Sequence, residues 1–196
     1  MRAFIGIGLP EPVRTSLAAL QQHLAESHAD VKWVAPEQLH ATLKFLDEIT
    51  GAQQQQIAEF LTKISQQHEA FTLTLHHLGA FPSLHDPRIL WVGAEEGKAA
   101  VVSFAEAIEK ECRACGLKNE ERAFSAHITI GRVRSPKQRQ ALIQALNTHA
   151  WTPPPAWQVS TVTLYQSVLS SNGPAYSVLG EFQLGGKGQE TGGVGN

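Results

Sequence analysis

Two segments of the chain repeat one pattern: His40-Ala41-Thr42-Leu43-Lys44-Phe45-Leu46 and His127-Ile128-Thr129-Ile130-Gly131-Arg132-Val133. Each reads as a β-strand. Side chains alternate along a strand, so Ala41, Leu43 and Phe45 share a face that can meet a core, while His40 and Thr42 share the other. In the second segment Ile128 and Ile130 face one way, and His127 and Thr129 the other. A fold must bury one side of both strands and leave an imidazole and a hydroxyl together on the opposite side.

The rest of the chain supplies the means. Residues 2–9 form an apolar strand ended by Pro10. A helix over 11–29 carries Val13, Leu17, Leu20 and Leu24 at helical spacing. A short strand over 31–34 carries Trp33. A helix over 51–67 has Thr50 as N-cap. Strands are expected over 71–78 and 88–93, with a turn-rich loop over 81–87 between them. A third helix runs over 98–115, stopped by Gly116. Ser135-Pro136 opens a fourth, to about His149. Pro153-Pro154-Pro155 is a rigid connector, and strands over 159–169 and 176–184 flank the turn Ser171-Asn172-Gly173-Pro174.

The order is strand, helix, strands with His-x-Thr, helix, strands, which reads as a duplicated plan. The fold class expected is α+β: two lobes of mostly antiparallel sheet backed by helices. Residues 1–184 are expected to form this single bilobal domain. Residues 185–196, Gly-rich and polar, are expected to be a disordered tail.

Composition narrows the function. Hydrophobic residues make up 42% and charged residues 17%, as in an ordinary globular protein. A net charge of -2 argues against extensive duplex-DNA binding, leaving room only for a local basic patch. No apolar run approaches the ~18 residues that signal a membrane span. The N-terminus is too short for a signal peptide before Pro10, so a cytoplasmic protein is expected. Cys112 and Cys115 are spaced C-x-x-C but fall in the last turn of a helix, whereas a redox pair sits at a helix start. No second pair completes a structural zinc site. They read as reduced, partly buried thiols.

Roughly 0.5 His-x-Thr tripeptides are expected by chance in such a chain, so one match means little. Two occur, both followed by an apolar residue and both with the same facing. Of the other histidines, His76-His77 compete best. Adjacent strand residues face opposite ways, which is poor for chelation, so they are read as non-catalytic.

A neutral imidazole can take a proton from water, and an imidazolium can protonate a leaving oxygen. An unperturbed pKa of about 6.5 makes both states accessible near neutrality. Thr hydroxyls can donate to phosphoryl oxygens as negative charge grows. No Asp/Glu cluster offers a hard-metal site, and neither Gly97-Lys98 nor Gly186-Lys187 completes a phosphate-binding Walker loop. This is a kit for cleaving a phosphodiester, particularly a strained cyclic one, with no metal and no cofactor.

With these residues in view the chain resembles the 2H phosphoesterase superfamily, and within it the RNA 2′,3′-cyclic phosphodiesterases, also called 2′-5′ RNA ligases. The resemblance spans residues 2–184. It is carried by Arg2-Ala3-Phe4-Ile5, Trp33-Val34, the two His-x-Thr strands, Arg88-Ile89-Leu90-Trp91-Val92-Gly93, and Leu164-Tyr165-Gln166-Ser167 through Gly173-Pro174-Ala175-Tyr176. Asp47 stands where relatives often have Gly. The resemblance implies two pseudo-symmetric lobes with an active-site cleft between them, lined by the two His-x-Thr strands, and hydrolysis of an RNA-terminal 2′,3′-cyclic phosphate to a 2′-phosphate. His40 would be the proton donor, His127 the proton acceptor, and Thr42 and Thr129 phosphate ligands. Arg132 matches a position expected to contact substrate. Strict alternation would turn it away from His127 unless the strand bends at Gly131. Trp33 and Tyr165 are candidates to stack a base. The expected partners are RNA ends or small cyclic nucleotides, with no membrane and no obligate protein partner. Ligation through a 2′-5′ bond, action on a small cyclic nucleotide, and a non-catalytic RNA-end-binding module are the alternatives.

Overall fold

A computed structural model of the chain describes residues 1–120, 123–170 and 173–185. Among the described residues the strands are β1 (Arg2–Gly8), β2 (Val31–Trp33), β3 (His40–Glu48), β4 (Phe71–Leu73), β5 (Leu75–Pro82), β6 (Pro87–Ala94), β7 (His127–Val133), β8 (Trp157–Val159), β9 (Thr161–Ser170) and β10 (Gly173–Gln183). The helices are α1 (Glu11–Ala25), α2 (Gly51–Gln66), α3 (Lys98–Ala114) and α4 (Arg139–Thr148).

Local chemistry accounts for the start of α2 and the end of α3. Thr50 and Gln53 form a reciprocal capping box at the start of α2. Gly116 follows α3 with φ +70, the left-handed conformation that glycine adopts without strain. Several expectations shift. The expected loop over 81–87 gives Phe81 and Pro82 to β5 and Pro87 to β6, and the expected strand over 159–169 breaks at Ser160, leaving Val159 in β8. α1 stops at Ala25 rather than near Ala29. The expected strand over 71–78 breaks at Thr74, so β4 leaves to pair with β8 while β5 joins the main sheet. α4 does not open at Ser135-Pro136. Gln138 has φ +54, and the helix begins only after it.

The main sheet runs β10-β9-β1-β3-β7-β6-β5, with β2 also on β7. Its two halves meet at β3 and β7, which share a single residue pair, Ala41 with Ile128. The halves are the two lobes. α3 packs on β3 and α1 on β7. Each helix that connects the two inner strands of one lobe therefore packs on the other lobe. The buried core is continuous from Ile5, Leu17 and Leu20 to Leu90, Ile108 and Ile128. Of the expected turn, Gly173 and Pro174 belong to β10, paired with Ser170 and Leu169 of β9, and Ser171 and Asn172 lie outside the described residues. So does the expected tail apart from Gly185, whose amide donates to the Ser65 carbonyl at 2.8 Å. Among the described residues no helix is long and apolar enough to cross a membrane.

Candidate active site

Ala41 and Ile128 each follow a histidine. Extending their antiparallel register by one residue either way sets His40 opposite Thr129 and Thr42 opposite His127. Ala41 and Ile128 point into the core, so both histidines and both threonines point the other way, into one site. In a regular antiparallel pair such diagonal neighbours are about 7–8 Å apart, a span that one phosphoryl group can bridge with an imidazole on each side.

The two histidines are held alike. His40 Nδ1 lies 2.7 Å from the carbonyl of Gln38, and His127 Nδ1 lies 2.7 Å from the carbonyl of Ser125. A carbonyl oxygen only accepts, so each Nδ1 carries its hydrogen and donates it. In both residues Nε2 is left for proton exchange. Burial pushes both imidazole pKa values down, and the carbonyl contacts partly oppose this. In the other strand of each inner pair, the residue facing each histidine is a glycine, Gly8 for His40 and Gly93 for His127.

Aromatic rings wall the site. The Phe4 ring lies 4.6 Å from His40 and stacks on Tyr165 at 4.9 Å, and Tyr176 meets His40 edge-on at 5.3 Å. Across the seam Phe81 and Trp91 meet His127 edge-on at 5.2 and 6.2 Å. Burial pushes the Tyr176 hydroxyl up, although the charges of Arg132 and Arg2 pull the other way, so it remains a donor at neutral pH.

Alternation fails at an equivalent point in both strands, and β3 carries a further bulge at Leu46, between the pairs Phe4–Phe45 and Ala3–Asp47. Gly6 pairs with Thr42 and Ile5 with Lys44, leaving Leu43 as the extra residue of a bulge. Trp91 pairs with Thr129 and Leu90 with Gly131, leaving Ile130 as the extra residue. Each of the two equivalent bulges lies three residues after its histidine and reverses the facing beyond it. Phe45, expected in the core, is instead 57% exposed on the site face, and Leu46 is buried. Lys44 turns inward, only 6% exposed, with Nζ 2.6 Å from a Glu109 carboxylate oxygen and 2.8 Å from the Lys118 carbonyl. In β7 the same reversal returns Arg132 to the face of His127. Phe45 and Arg132 are thus equivalent, each five residues after its histidine.

Both line a solvent-open groove of about 360 Å³ with Arg2, Lys44, Asp47 and Lys118. Asp47 has φ +55, as a glycine position would, and its carboxylate accepts from Lys118 Nζ at 2.8 Å. Asn119 and Glu120 also line it, so among the described residues four cations stand there with two carboxylates, a local positive excess on a chain of net charge -2.

Of the stacking candidates, Tyr165 reaches the site through Phe4, with its ring 6.3 Å from His40. Trp33 is placed differently. It pairs with Gly131, and its ring would be 2.9 Å from a Cβ added there, so it packs on the core face of the bulge. Phe45, Phe4, Tyr176, Phe81 and Trp91 are additional to the residues expected at the site. A signal for Phe45 exists in the sequence, since it stands at the same offset from His40 as Arg132 from His127. Cys112 is buried and its thiol pushed up to about 12, which keeps it protonated.

A family model described as LigT like phosphoesterase matches the chain twice, over residues 7–91 and 92–176. The RNA 2′,3′-cyclic phosphodiesterase of Aquifex aeolicus is 31% identical to it, over 95% of this chain and 98% of that protein. The protein of that name from Thermotoga maritima is 32% identical, over 95% of this chain and 97% of its own length. A crystal structure of a Thermus thermophilus protein matches with TM-score 0.79 at 27% identity, covering 96% of this chain and 100% of that one.

Proposed function

Since this chain belongs to the LigT-like phosphoesterase family, we propose that it hydrolyses an RNA-terminal 2′,3′-cyclic phosphate to a 2′-phosphate, with one histidine as acid and the other as base. The observation that carries this reading is the matched pair of imidazoles, both pinned at Nδ1 and joined through Ala41 and Ile128. In-line displacement puts the attacking and leaving oxygens on opposite sides of phosphorus. His127 Nε2 takes a proton from water as the new P–O bond forms. The P–O3′ bond breaks, and His40 Nε2–H gives its proton to O3′. Thr42 and Thr129 donate to the equatorial oxygens, where charge grows.

Burial leaves His40 reluctant to hold a proton in the free protein. The bound phosphate anion opposes that effect, because a nearby negative charge favours the imidazolium. Substrate binding therefore helps to charge the acid. Phe45 offers an exposed ring beside the cations Arg2 and Arg132. Stacking on Phe45 or Tyr165 and charge from Arg132 suit the terminal base and a neighbouring phosphate.

The test is an oligonucleotide ending in a 2′,3′-cyclic phosphate, incubated in excess chelator, with the product read by phosphorus NMR. Turnover to a 2′-phosphate is expected. Activity lost in chelator and restored by one metal would defeat the metal-free reading, and a 3′-phosphate product would reverse the substrate's orientation.

A further inference from the structure

A regular strand would hold His76 and His77 on opposite faces. β5 is irregular at this point. Leu75 pairs with Ala94 and His77 with Gly93, so His76 is the extra residue of a bulge. The bulge re-aims the side chains, and both imidazoles come to one side with ring centroids 5.2 Å apart. Glu95 follows the end of β6, and its carboxylate comes 4.0 Å from His76 Nδ1. One ligand atom from each of His76, His77 and Glu95 lies within 4.8 Å of the other two, and among the described residues no other trio does so.

The backbone under this trio is braced. Thr74 exchanges hydrogen bonds with the segment carrying Glu95: the Glu95 amide donates to the Thr74 carbonyl at 3.0 Å, the Glu96 amide to Thr74 Oγ1 at 3.0 Å, and the Thr74 amide to the Glu96 carbonyl at 3.2 Å. The strand pairing of His77 with Gly93 holds the other side.

We propose that His76, His77 and Glu95 form a binding site for one divalent ion of the zinc class. Two imidazoles and a carboxylate are the donors such a borderline ion prefers, and the fourth position would be filled by water. Tetrahedral bonds of about 2.0–2.1 Å need donors about 3.4 Å apart. All three side chains are exposed, so small rotations about their χ angles close that gap without moving the braced backbone. The site is separate from the catalytic pair. His77, Gly93 and His127 form one row across β5, β6 and β7, which puts two strand spacings, about 9.5 Å, between the metal-bearing backbone and that of His127.

The test uses the full untagged chain, titrated with Zn²⁺ against a chromophoric chelator, with the absorption spectrum of added Co²⁺ as the report on geometry. One ion per chain is expected. The His76→Ala, His77→Ala, Glu95→Gln triple variant should lose at least tenfold in affinity and lose the Co²⁺ spectrum. Its melting temperature should stay near that of the parent. Zinc affinity in the His40→Ala, His127→Ala double variant should match the parent. Stoichiometric binding that survives the triple variant, binding that disappears with the catalytic histidines instead, or no binding by the parent at 100-fold excess of Zn²⁺ would each overturn the proposal. Phosphodiester hydrolysis in chelator is a separate readout, so a failure of the metal site leaves the catalytic reading standing.

Discussion

Ala41 pairs with Ile128, and through that one pair two halves of a duplicated fold place their histidines. Both residues are buried. Any change that separates them moves His40 relative to Thr129 and His127 relative to Thr42. Ile128→Ala should therefore act on kcat as well as on stability. Truncating a buried Ile typically costs about 2–5 kcal/mol, partly as cavity. Chemical denaturation combined with single-turnover rates checks this. A stability loss with an unchanged rate in the folded fraction would show that the seam does not position the pair.

His40→Ala and His127→Ala should each lower kcat/KM by about 10²–10⁴-fold or more. The double variant should lose less than the product of the two, because the groups act as a unit. A nitrophenyl phosphodiester has a leaving group that needs no acid. It should rescue His40→Ala and leave His127→Ala impaired. Equal rescue would mean that the roles are shared.

Phe45→Ala should weaken oligonucleotide binding by about 1–3 kcal/mol, the usual worth of a base–aromatic stack, and should raise KM more than it lowers kcat. Arg132→Ala should reduce the salt dependence of KM as well. Steady-state kinetics on an oligonucleotide and a mononucleotide at two ionic strengths would separate these effects. An unchanged KM for both variants would remove the groove from the substrate path.

Stability should fall as pH drops below the ordinary histidine pKa. Burial lowers the pKa of His40 and His127 from 6.5 in the folded chain. Between the folded and unfolded values the unfolded state binds more protons, so stability rises with pH across that window and is lost on descending through it. Thermal melts from pH 8 to pH 5 should show this slope. The His40→Asn, His127→Asn double variant should flatten it, leaving the share of His149, whose pKa burial and His23 also lower. An identical slope would place the titration elsewhere.

Gly131→Val should destabilise by about 1–3 kcal/mol through overpacking. A Cβ there would stand 2.8 Å from Val31 Cγ1 and 2.9 Å from Trp33 Cε3. Arg132 is the next residue, so substrate affinity should drop with stability. Denaturant midpoints alongside KM would check both.

Much of the site is legible in the sequence because strand alternation is a local property. His40 with Thr42 and His127 with Thr129 share faces by covalent geometry alone, before any partner strand is known. The element order carries the duplication for the same reason, since apolar periodicity marks each helix and strand where it occurs. The facing of Phe45, Arg132 and His76 is not legible in this way. Each lies at or beyond a bulge, and a bulge is defined by two residues facing one across a ladder. His40-Ala41-Thr42-Leu43-Lys44-Phe45 contains no local sign that Ile5 and Gly6 of β1 will skip Leu43.

The sequence by itself determined the candidate groups: two imidazoles, two hydroxyls, and strands on which each pair must face one way. The tertiary structure decided the geometry. It chose Ala41 and Ile128 as the seam, turned Phe45 outward and Lys44 inward onto Glu109, and sent Trp33 to the core face. The reason is physical. Facing within a strand follows from bonds between neighbours, but register follows from hydrogen bonds and packing between segments as far apart as residues 41 and 128, and one skipped residue reverses every side chain beyond it.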